Sequence, residues 1–438
     1  MDYPKTPDFW RLVNGVTLYS QLMHEYGAKG VAPILAKAEE TLASAMKELQ
    51  NLPIDPELAK QEPNSLEEIH SLRPAGPRRM WERFDEPIYR NRLEGALLGR
   101  MAGCTLGAPV EFWPIIRMEN LAKETNNIFP PVDYWTYVPD MYEKRYDVSP
   151  REGYTRGKMN GVPVDDDIAY TLLGLLIAED HGLDFTVEDV GKAWLKYLPY
   201  ACTAEEIALK NLKAGIPASK AGEVDNPCCE WIGADIRSDP WGYMAPAFPE
   251  KAASMAYHDA YISHRRQGIY GEMFFSAAIA AAFSVNHPVE ALEIGLTEIP
   301  ENCAMAKAVR WALKVAPGIT NYRQAREVMT EHFKGMSDVH TINNACLTIW
   351  GLTIGGTDFT RVIGETVAMG MDNDCTAATA GSIAGAIVGK QGIPQHWYKK
   401  FNDTIHSYLI GQKSFSINDL LNRFTRLAWR TYQIVKPQ

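Results

Sequence analysis

The spacing of apolar residues along most of the chain is that of α-helices. From about residue 88 onward, long segments rich in Ala, Leu and Ile repeat their apolar positions every three to four residues, as a buried helix face requires. Three segments open with a Ser or Thr three residues before an acidic residue, which is a capping-box pattern, at Thr186, Thr203 and Ser416. Strand-like alternation is scarce, so the sequence predicts an all-α fold.

Residues 1–80 are predicted to form a separate helical region. The segments 17–27 and 31–52 have helical spacing and contain much Ala, Lys and Glu, and a break containing Pro and Gly follows at residues 73–77. We therefore expect a helical N-terminal appendage over residues 1–80 and the main domain over residues 88–438.

Four glycines recur at every fourth position of one predicted helix, at Gly95, Gly99, Gly103 and Gly107. Glycine inside a helix costs about 1 kcal/mol relative to alanine. A stripe of glycines therefore indicates that another backbone or a ligand approaches this helix closely.

A long segment rich in aromatic residues, 126–163, interrupts the helical pattern. It contains seven aromatic side chains among prolines and glycines: Phe129, Tyr134, Trp135, Tyr137, Tyr142, Tyr146 and Tyr154. A loop of this length is typically functional or disordered, and so many aromatic residues disfavour disorder. Two interpretations stay open: a cover that stacks rings on a ligand, and a surface loop packed by its own aromatic residues.

The composition narrows the classes of partner. The 438 residues are 46% hydrophobic and 22% charged, which excludes a disordered or low-complexity chain. Because 54 acidic residues outnumber 44 Lys and Arg, for a net charge of −10, we expect no nucleic-acid partner. Seven cysteines without CxxC spacing indicate reduced thiols rather than a disulfide framework.

The chain shows no sign of a secretory signal or a membrane span. The first residues lack a basic region followed by an apolar one, and apolar stretches such as 274–285 are shorter than the roughly 20 residues that cross a bilayer. We expect a cytoplasmic protein without a membrane partner. The sequence predicts no particular oligomeric state.

Two acidic runs stand immediately before strongly apolar helices. Asp165, Asp166 and Asp167 precede the run 170–178, and Asp372 and Asp374 precede the small-residue segment 376–388. A helix N-terminus stabilises a carboxylate by only about 0.3 to 1 kcal/mol, while adjacent carboxylates repel. Buried carboxylates need counter-charge, which divalent cations with oxygen ligands supply.

We call six residues the acidic cluster: Glu111, Asp165, Asp166, Asp167, Asp372 and Asp374. Glu111 is included because it ends the glycine-striped helix. Together they carry about −6, which two divalent cations would bring near −2. The alternative is that each acidic run caps a helix in solvent.

Three motifs together resemble those of the ADP-ribosylglycohydrolase family. The segment 93–111 resembles the opening motif of that family, the segment 165–168 resembles its Thr-Asp-Asp-Thr motif, and the segment 370–375 resembles its Gly-Gly-Asp-x-Asp-Thr motif. Their order and spacing agree with the family, and the likeness runs from about residue 88 to 410.

The resemblance implies a multi-helix bundle around a binuclear Mg²⁺ or Mn²⁺ centre that hydrolyses the glycosidic bond of an ADP-ribosyl group. By motif position, the metal ligands would be Glu111, Asp165, Asp166, Asp167, Asp372 and Asp374. The catalytic carboxylates would be Glu111 and either Asp166 or Asp167 as the base. The substrate would be an ADP-ribosylated or ribosyl small molecule or protein.

Two other functions stay open. One is an N-glycosidase that acts on a free nucleoside or a modified ribosyl metabolite, and the other is a catalytically silent member that binds ADP-ribose. Three departures from the family motifs bear on this choice, because Asp165, Ile168 and Cys375 each stand where the family has Thr. A soft sulfur suits Mg²⁺ poorly, so three outcomes stay open: a shift of metal preference toward Mn²⁺, reduced occupancy of one site, or a subfamily with another substrate.

A further segment, 259–272, is similar to the family's Ser/Thr-His segment, which lies near ADP-ribose. The resemblance implies that His264, followed by Tyr270, Gly271 and Glu272, binds the substrate. Arg265 beside His264 would offer bidentate donors to a phosphate. The alternative is a structural histidine with surface arginines.

Overall fold

A computed structural model describes residues 3–434, and in that range nearly all of the regular secondary structure is helical. The predicted all-α fold is confirmed. The helices are α1 Phe9–Glu25, α2 Val31–Gln50, α3 Pro56–Gln61, α4 Leu66–Leu72, α5 Glu86–Gly107, α6 Ile115–Glu124, α7 Asp166–His181, α8 Val187–Tyr197, α9 Thr203–Lys213, α10 Ala218–Ala221, α11 Asp239–Met244, α12 Pro249–Ala260, α13 Gln267–Ala282, α14 Pro288–Gly295, α15 Ala304–Val315, α16 Tyr322–His332, α17 Thr341–Gly355, α18 Phe359–Ala368, α19 Asn373–Val388 and α20 Ile417–Ile434.

Two small antiparallel hairpins accompany the helices. The first pairs β1 Lys144–Arg145 with β2 Ser149–Pro150, and the second pairs β3 Ile405–His406 with β4 Ser414–Phe415. In the first hairpin Arg145 lies opposite Ser149. Within the described residues, no helix has the length and apolarity that crossing a bilayer demands.

The chain divides into two compact units at Lys60. In the smaller unit, α1 and α2 form the two expected helices, and α1 begins at Phe9 rather than near residue 17. In the larger unit, the segment 61–80 is tied down by polar contacts. Glu62 accepts a hydrogen bond from the backbone N–H of Ala304 at 2.8 Å, and Arg78 donates to Glu298 at 2.7 Å.

Helices α5 and α19 pack against each other along the predicted glycine stripe. A Cβ atom placed on Gly95 would lie 2.1 Å from the carbonyl oxygen of Gly385, and one on Gly103 would lie 2.0 Å from that of Ala377. Only glycine permits such an approach of two backbones. The expectation of close backbone contact is therefore confirmed, and the contact holds the end of α5 beside the start of α19.

The aromatic segment 126–163 adopts a mixed arrangement. Tyr134, Trp135 and Tyr154 are buried, whereas Tyr142 is 84% exposed. Between the buried rings lies the β1–β2 hairpin, whose turn contains Tyr146 and Asp147 at φ values of 53° and 56°. The segment is thus packed by part of its own aromatic content, and its hairpin reaches the acidic cluster.

Candidate metal centre and active site

The starts of α7 and α19 bring the two acidic runs together. Asp165 caps α7 by accepting the backbone N–H of Asp167 at 3.2 Å, and Asp372 occupies the corresponding position before α19. The thiol of Cys375 donates to Oδ2 of Asp167 at 3.2 Å, so that the two motifs are in direct contact. The acidic cluster is therefore one site rather than two separate helix caps in solvent.

An arginine of the aromatic segment lies inside the acidic cluster. Nη1 of Arg145 donates to Oε2 of Glu111 and to the carbonyl oxygen of Ala108, both at 2.8 Å. Its Nη2 donates to Oδ2 of Asp165 at 3.0 Å and to Oδ2 of Asp374 at 3.1 Å. The Arg145 side chain is only 13% exposed. One guanidinium thus bonds to three carboxylates that belong to three different parts of the chain.

The neighbouring Tyr146 contacts a fourth carboxylate. Its hydroxyl donates to Oδ1 of Asp166 at 2.7 Å. Sequence inspection did not single out Arg145, because no Lys or Arg adjoins either acidic run. The available signal was the aromatic segment itself, which marked the region but not this residue.

Asp167 is held by an interior ion pair. Nη2 of Arg100 lies 3.3 Å from Oδ1 of Asp167, and Nη1 of Arg100 donates to Asp239 at 2.6 Å. Both oxygens of Asp167 therefore have partners, since Cys375 donates to the other one. Asp166 differs, because it is partly exposed and lines a cavity.

Burial shifts the acidity of the cluster. Desolvation raises the pKa of Asp165 to about 7, against the lowering effect of Arg145. Burial likewise raises the pKa values of Glu111, Asp167, Asp372 and Asp374. Several carboxyl groups packed together in a low-dielectric site resist simultaneous ionisation unless a cation joins them.

The cavity beside the cluster has a volume of about 210 Å³. Its lining includes four carboxyl groups, those of Glu111, Asp166, Glu205 and Asp372, together with aromatic rings such as Trp231. Among the described residues that line it there is no Lys or Arg. The cavity thus offers acceptor oxygens and apolar walls to a small polar molecule.

Several buried oxygens at the cluster lack a hydrogen-bond partner. They are Oδ1 of Asp372, Oδ1 of Asp374 and the hydroxyl of Thr376. An unpaired buried polar atom is costly, and carboxylate oxygens are ligands that Mg²⁺ and Mn²⁺ prefer. The ligand atoms of Asp372, Asp374 and Cys375 lie within 4.8 Å of one another. These residues fit a divalent cation.

A second group of ligand atoms comes from Cys104, Asp165 and Asp167, also within 4.8 Å of one another. Here the carboxylate oxygens are largely engaged, because Asp165 pairs with Arg145 and Asp167 pairs with Arg100. Both groups are buried. The acidic cluster could therefore hold metal, with its free oxygens on the α19 side.

The residues expected to bind substrate are not among those that line this cavity. His264 is fully buried beside the hydroxyl of Ser263 at 2.8 Å, and the hydroxyl of Tyr270 donates to the carbonyl of Pro63. A Cβ on Gly271 would lie 2.0 Å from Oδ1 of Asp235. Glu272 accepts from the indole N–H of Trp241 at 2.8 Å.

Glu205 connects this interior region with the cavity. Nη1 of Arg237 donates to Oε1 of Glu205 at 2.9 Å, and Arg237 also pairs with Asp259 at 2.6 Å. Burial raises the pKa of Glu205 to about 7. Sequence reasoning missed Glu205, because its neighbour Glu206 was assigned to a capping box.

Comparison with known proteins places the chain in a family. The family model described as ADP-ribosylglycohydrolase matches residues 85–428. A solved structure described as "ADP-ribosylglycohydrolase-related protein complex" aligns with a TM-score of 0.52 and 20% sequence identity, over 80% of this chain and 99% of that chain. At this identity the structural likeness shows the fold alone. No curated protein matches the chain. The extent of the family match shows that the chain belongs to the ADP-ribosylglycohydrolase family.

Proposed function

We propose that this protein is a divalent-metal-dependent hydrolase that cleaves the glycosidic bond of an ADP-ribosyl group or a related ribosyl compound. The observation that carries the proposal is the pair of unpartnered, buried oxygens on Asp372 and Asp374 next to a cavity lined by Asp166. Membership of the ADP-ribosylglycohydrolase family supports glycoside hydrolysis as the reaction class.

Asp372 and Asp374 would be the principal metal ligands, with Mg²⁺ or Mn²⁺ as the ion. A bound cation would orient sugar hydroxyls and make a bound water more acidic. The thiol of Cys375 is engaged with Asp167, so its sulfur is not required as a ligand. Asp165 and Asp167 would support the centre through their contacts with Arg145 and Arg100.

Asp166 is the better candidate for the general base of the two aspartates proposed for that role. It lines the cavity, whereas both oxygens of Asp167 are engaged. The hydroxyl of Tyr146 fixes Oδ1 of Asp166, which leaves Oδ2 to accept a proton from water.

Glu111 would serve as the proton donor to the leaving group. It also lines the cavity, and burial raises its pKa, so that it retains a proton at higher pH than an ordinary glutamate. A glycosidase divides acid and base roles between two carboxyl groups whose environments separate their pKa values.

The size and charge of the cavity favour a second substrate class, a free nucleoside or modified ribosyl metabolite. Ligand pockets usually measure about 300 to 1,000 Å³, and this cavity has about 210 Å³. Because the described lining residues include no Lys or Arg, a diphosphate would depend on the bound cation for counter-charge there. A single ribosyl unit fits both the volume and the chemistry of the lining.

Product analysis by liquid chromatography tests the proposal. The protein is incubated with ADP-ribosyl-arginine, ADP-ribosyl-serine, O-acetyl-ADP-ribose and plain nucleosides, with Mg²⁺ or Mn²⁺ and in parallel with EDTA. We expect cation-dependent cleavage of at least one compound, abolished in D166N. Cleavage of nucleosides alone would select the second substrate class. Binding of ADP-ribose without any cleavage would instead identify a catalytically silent member.

A further inference from the structure

Arg145 occupies a position that the acidic residues alone would assign to a metal ion. Resting on the metal-dependent function proposed above, we propose that its guanidinium takes the place of one of two cations. The native protein would then bind one divalent cation per chain.

The contacts of Arg145 are those of a bridging cation. The guanidinium joins Glu111 after α5, Asp165 at the start of α7 and Asp374 in the first turn of α19, and it also bonds to the carbonyl of Ala108. A guanidinium is always charged and presents planar donors to carboxylates. It therefore satisfies the oxygens that would otherwise hold an ion between the two helix starts.

A metal ion and the guanidinium would compete for two of these oxygens, Oδ2 of Asp165 and Oδ2 of Asp374. Nη2 lies 3.0 Å from Oδ2 of Asp165 and 3.1 Å from Oδ2 of Asp374. A cation bound to either oxygen at about 2.1 Å would lie no more than about 5 Å from Nη2. Because the guanidinium already gives these two oxygens a donor and a positive charge, an ion at the same oxygens would have to displace it or share them with it.

Oxygens for one cation are left on the other side of the cluster. Oδ1 of Asp372 and Oδ1 of Asp374 are buried and unpartnered, and Asp374 uses only its Oδ2 for Arg145. The site is therefore divided, with Arg145 on the side of Asp165 and Glu111 and the free oxygens on the side of Asp372. Because the unpartnered oxygens lie together on one side, we expect them to bind a single ion.

The hairpin that carries Arg145 is firmly attached beside the acidic cluster. Ser149, opposite Arg145 in the ladder, accepts the backbone N–H of Val164 at 2.9 Å. The Tyr146 ring stacks on Tyr200 with centroids 6.1 Å apart and lies 5.4 Å from Tyr408. The fold thus holds Arg145 in position, and its side chain is not free on the surface.

One of the three acidic residues that pair with Arg145 is itself a departure from the resembled motif. Asp165 stands where that motif has Thr, and it adds a negative charge that Arg145 balances at 3.0 Å. The added carboxylate and the inserted guanidinium are therefore complementary. This pairing is the second observation that favours a built-in cation over a second metal ion.

Counting bound Mn²⁺ tests the inference without any substrate. The metal-free protein, R145Q and K144Q are dialysed against Mn²⁺, and bound metal is measured by mass spectrometry, with electron paramagnetic resonance to detect spin-coupled ion pairs. We expect one ion per chain in the native protein and two coupled ions in R145Q. Lys144 adjoins Arg145 but is exposed, so K144Q controls for the loss of charge and should bind one ion.

Two ions in the native protein, none in it, or equal numbers in the native protein and R145Q would overturn the inference. If R145Q does not fold, the native count still decides, and R145K should keep one ion because the charge remains. Absence of hydrolysis together with the expected counts would refute the proposed function while leaving this inference intact.

Discussion

Asp372 and Asp374 are the two residues that most directly support the proposed cation site. Each has one buried oxygen without a hydrogen-bond partner, and burial raises the pKa of both carboxyl groups. Such groups destabilise the fold when they are ionised and unpaired, and they could bind a cation without first losing other partners. Stability should therefore depend on metal at these positions.

The effect of the substitution Asp372→Asn on stability should depend on whether metal is present. In EDTA the variant should be at least as stable as the native protein, because one of several repelling carboxyl groups is removed. With Mn²⁺ the melting temperature of the native protein should rise. At a Mn²⁺ concentration one hundred times the dissociation constant, binding stabilises the folded state by about 2.7 kcal/mol. D372N should lose most of this stabilisation. Differential scanning calorimetry measures both conditions.

D184N is the matched control for D372N. The Asp184 side chain is 74% exposed and pairs with Lys251, away from the acidic cluster. An equal response of D184N and D372N to Mn²⁺ would show that the metal binds elsewhere.

Glu205 should make stability depend on pH. Burial raises its pKa from 4.5 to about 7, so between these values the folded state binds a proton that the unfolded chain releases. Its favourable contribution is complete below pH 4.5 and is lost as pH rises through 7. Glu205→Gln imitates the protonated form, so its stability relative to the native protein should increase from pH 4.5 to pH 8.

Urea unfolding at several pH values measures the effect of E205Q. E206Q is the control, because Glu206 is the exposed neighbour on the same helix. A constant difference in unfolding free energy between E205Q and the native protein across this pH range would contradict the assignment.

At the residue scale, the acidic cluster could be predicted because its members stand in short runs before apolar helices. Arg145 could not be predicted, because it lies 20 positions before Asp165, in strand β1 of the aromatic segment. Pairing across such a distance depends on how the β1–β2 hairpin folds. No local pattern specifies that.

At the scale of elements, the packing of α5 on α19 sets the geometry of the site. Gly103 contacts the backbone of α19 so closely that a Cβ would lie 2.0 Å from the carbonyl oxygen of Ala377. The close packing of the two helices continues to Gly107, where a Cβ would lie 2.5 Å from Cα of Asp374. Separation of these helices would move Glu111, which follows α5, away from Asp372 and Asp374 at the start of α19.

Gly103→Ala should therefore destabilise the protein by about 1 to 3 kcal/mol or more, as overpacking does. Chemical denaturation measures the loss. Gly15→Ala is the control, because Gly15 lies in a helix with nothing within 4 Å of its added Cβ. That change should be neutral or stabilising by up to about 1 kcal/mol. A neutral G103A would refute the close backbone contact.

The three predicted capping motifs differ in how well they agree with the structure. Thr186 and Asp189 form a complete capping box, and Ser416 accepts the backbone N–H of Asp419 at 3.1 Å. The prediction at Thr203 was wrong, because α9 begins at Thr203 itself and Cys202 precedes it as the cap. Thr203 instead has a φ of 48°, a local conformation that the capping pattern does not reveal.

At the scale of the whole molecule, the periodicity of apolar residues was sufficient to predict an all-α fold, because helical spacing recurs along the chain. The division into units depends on long-range contacts that periodicity does not contain. When the chain is divided according to contacts between its residues, the boundary between the two units falls at Lys60. This is about twenty residues before the break expected from the Pro- and Gly-containing segment. The ion pairs of Arg73 and Arg78 with Glu298 tie that segment to the larger unit.

Limited proteolysis of the full chain should cleave before Gln61 rather than near residue 80. Residues 51–55 lie between α2 and α3 and are exposed, which is where proteases act. Mass spectrometry of the large fragment should therefore find residues 61–80 still attached. A stable fragment that begins near residue 80 would contradict this division.

Metal dependence of bond cleavage is the most direct test of the proposed function. With the substrate that product analysis identifies, the hydrolysis rate is measured as Mn²⁺ is added to protein freed of metal by EDTA and dialysis. We predict background hydrolysis without metal and a rate that rises in proportion to bound Mn²⁺. An unchanged rate in protein verified as metal-free would contradict a metal-dependent site built on Asp372 and Asp374.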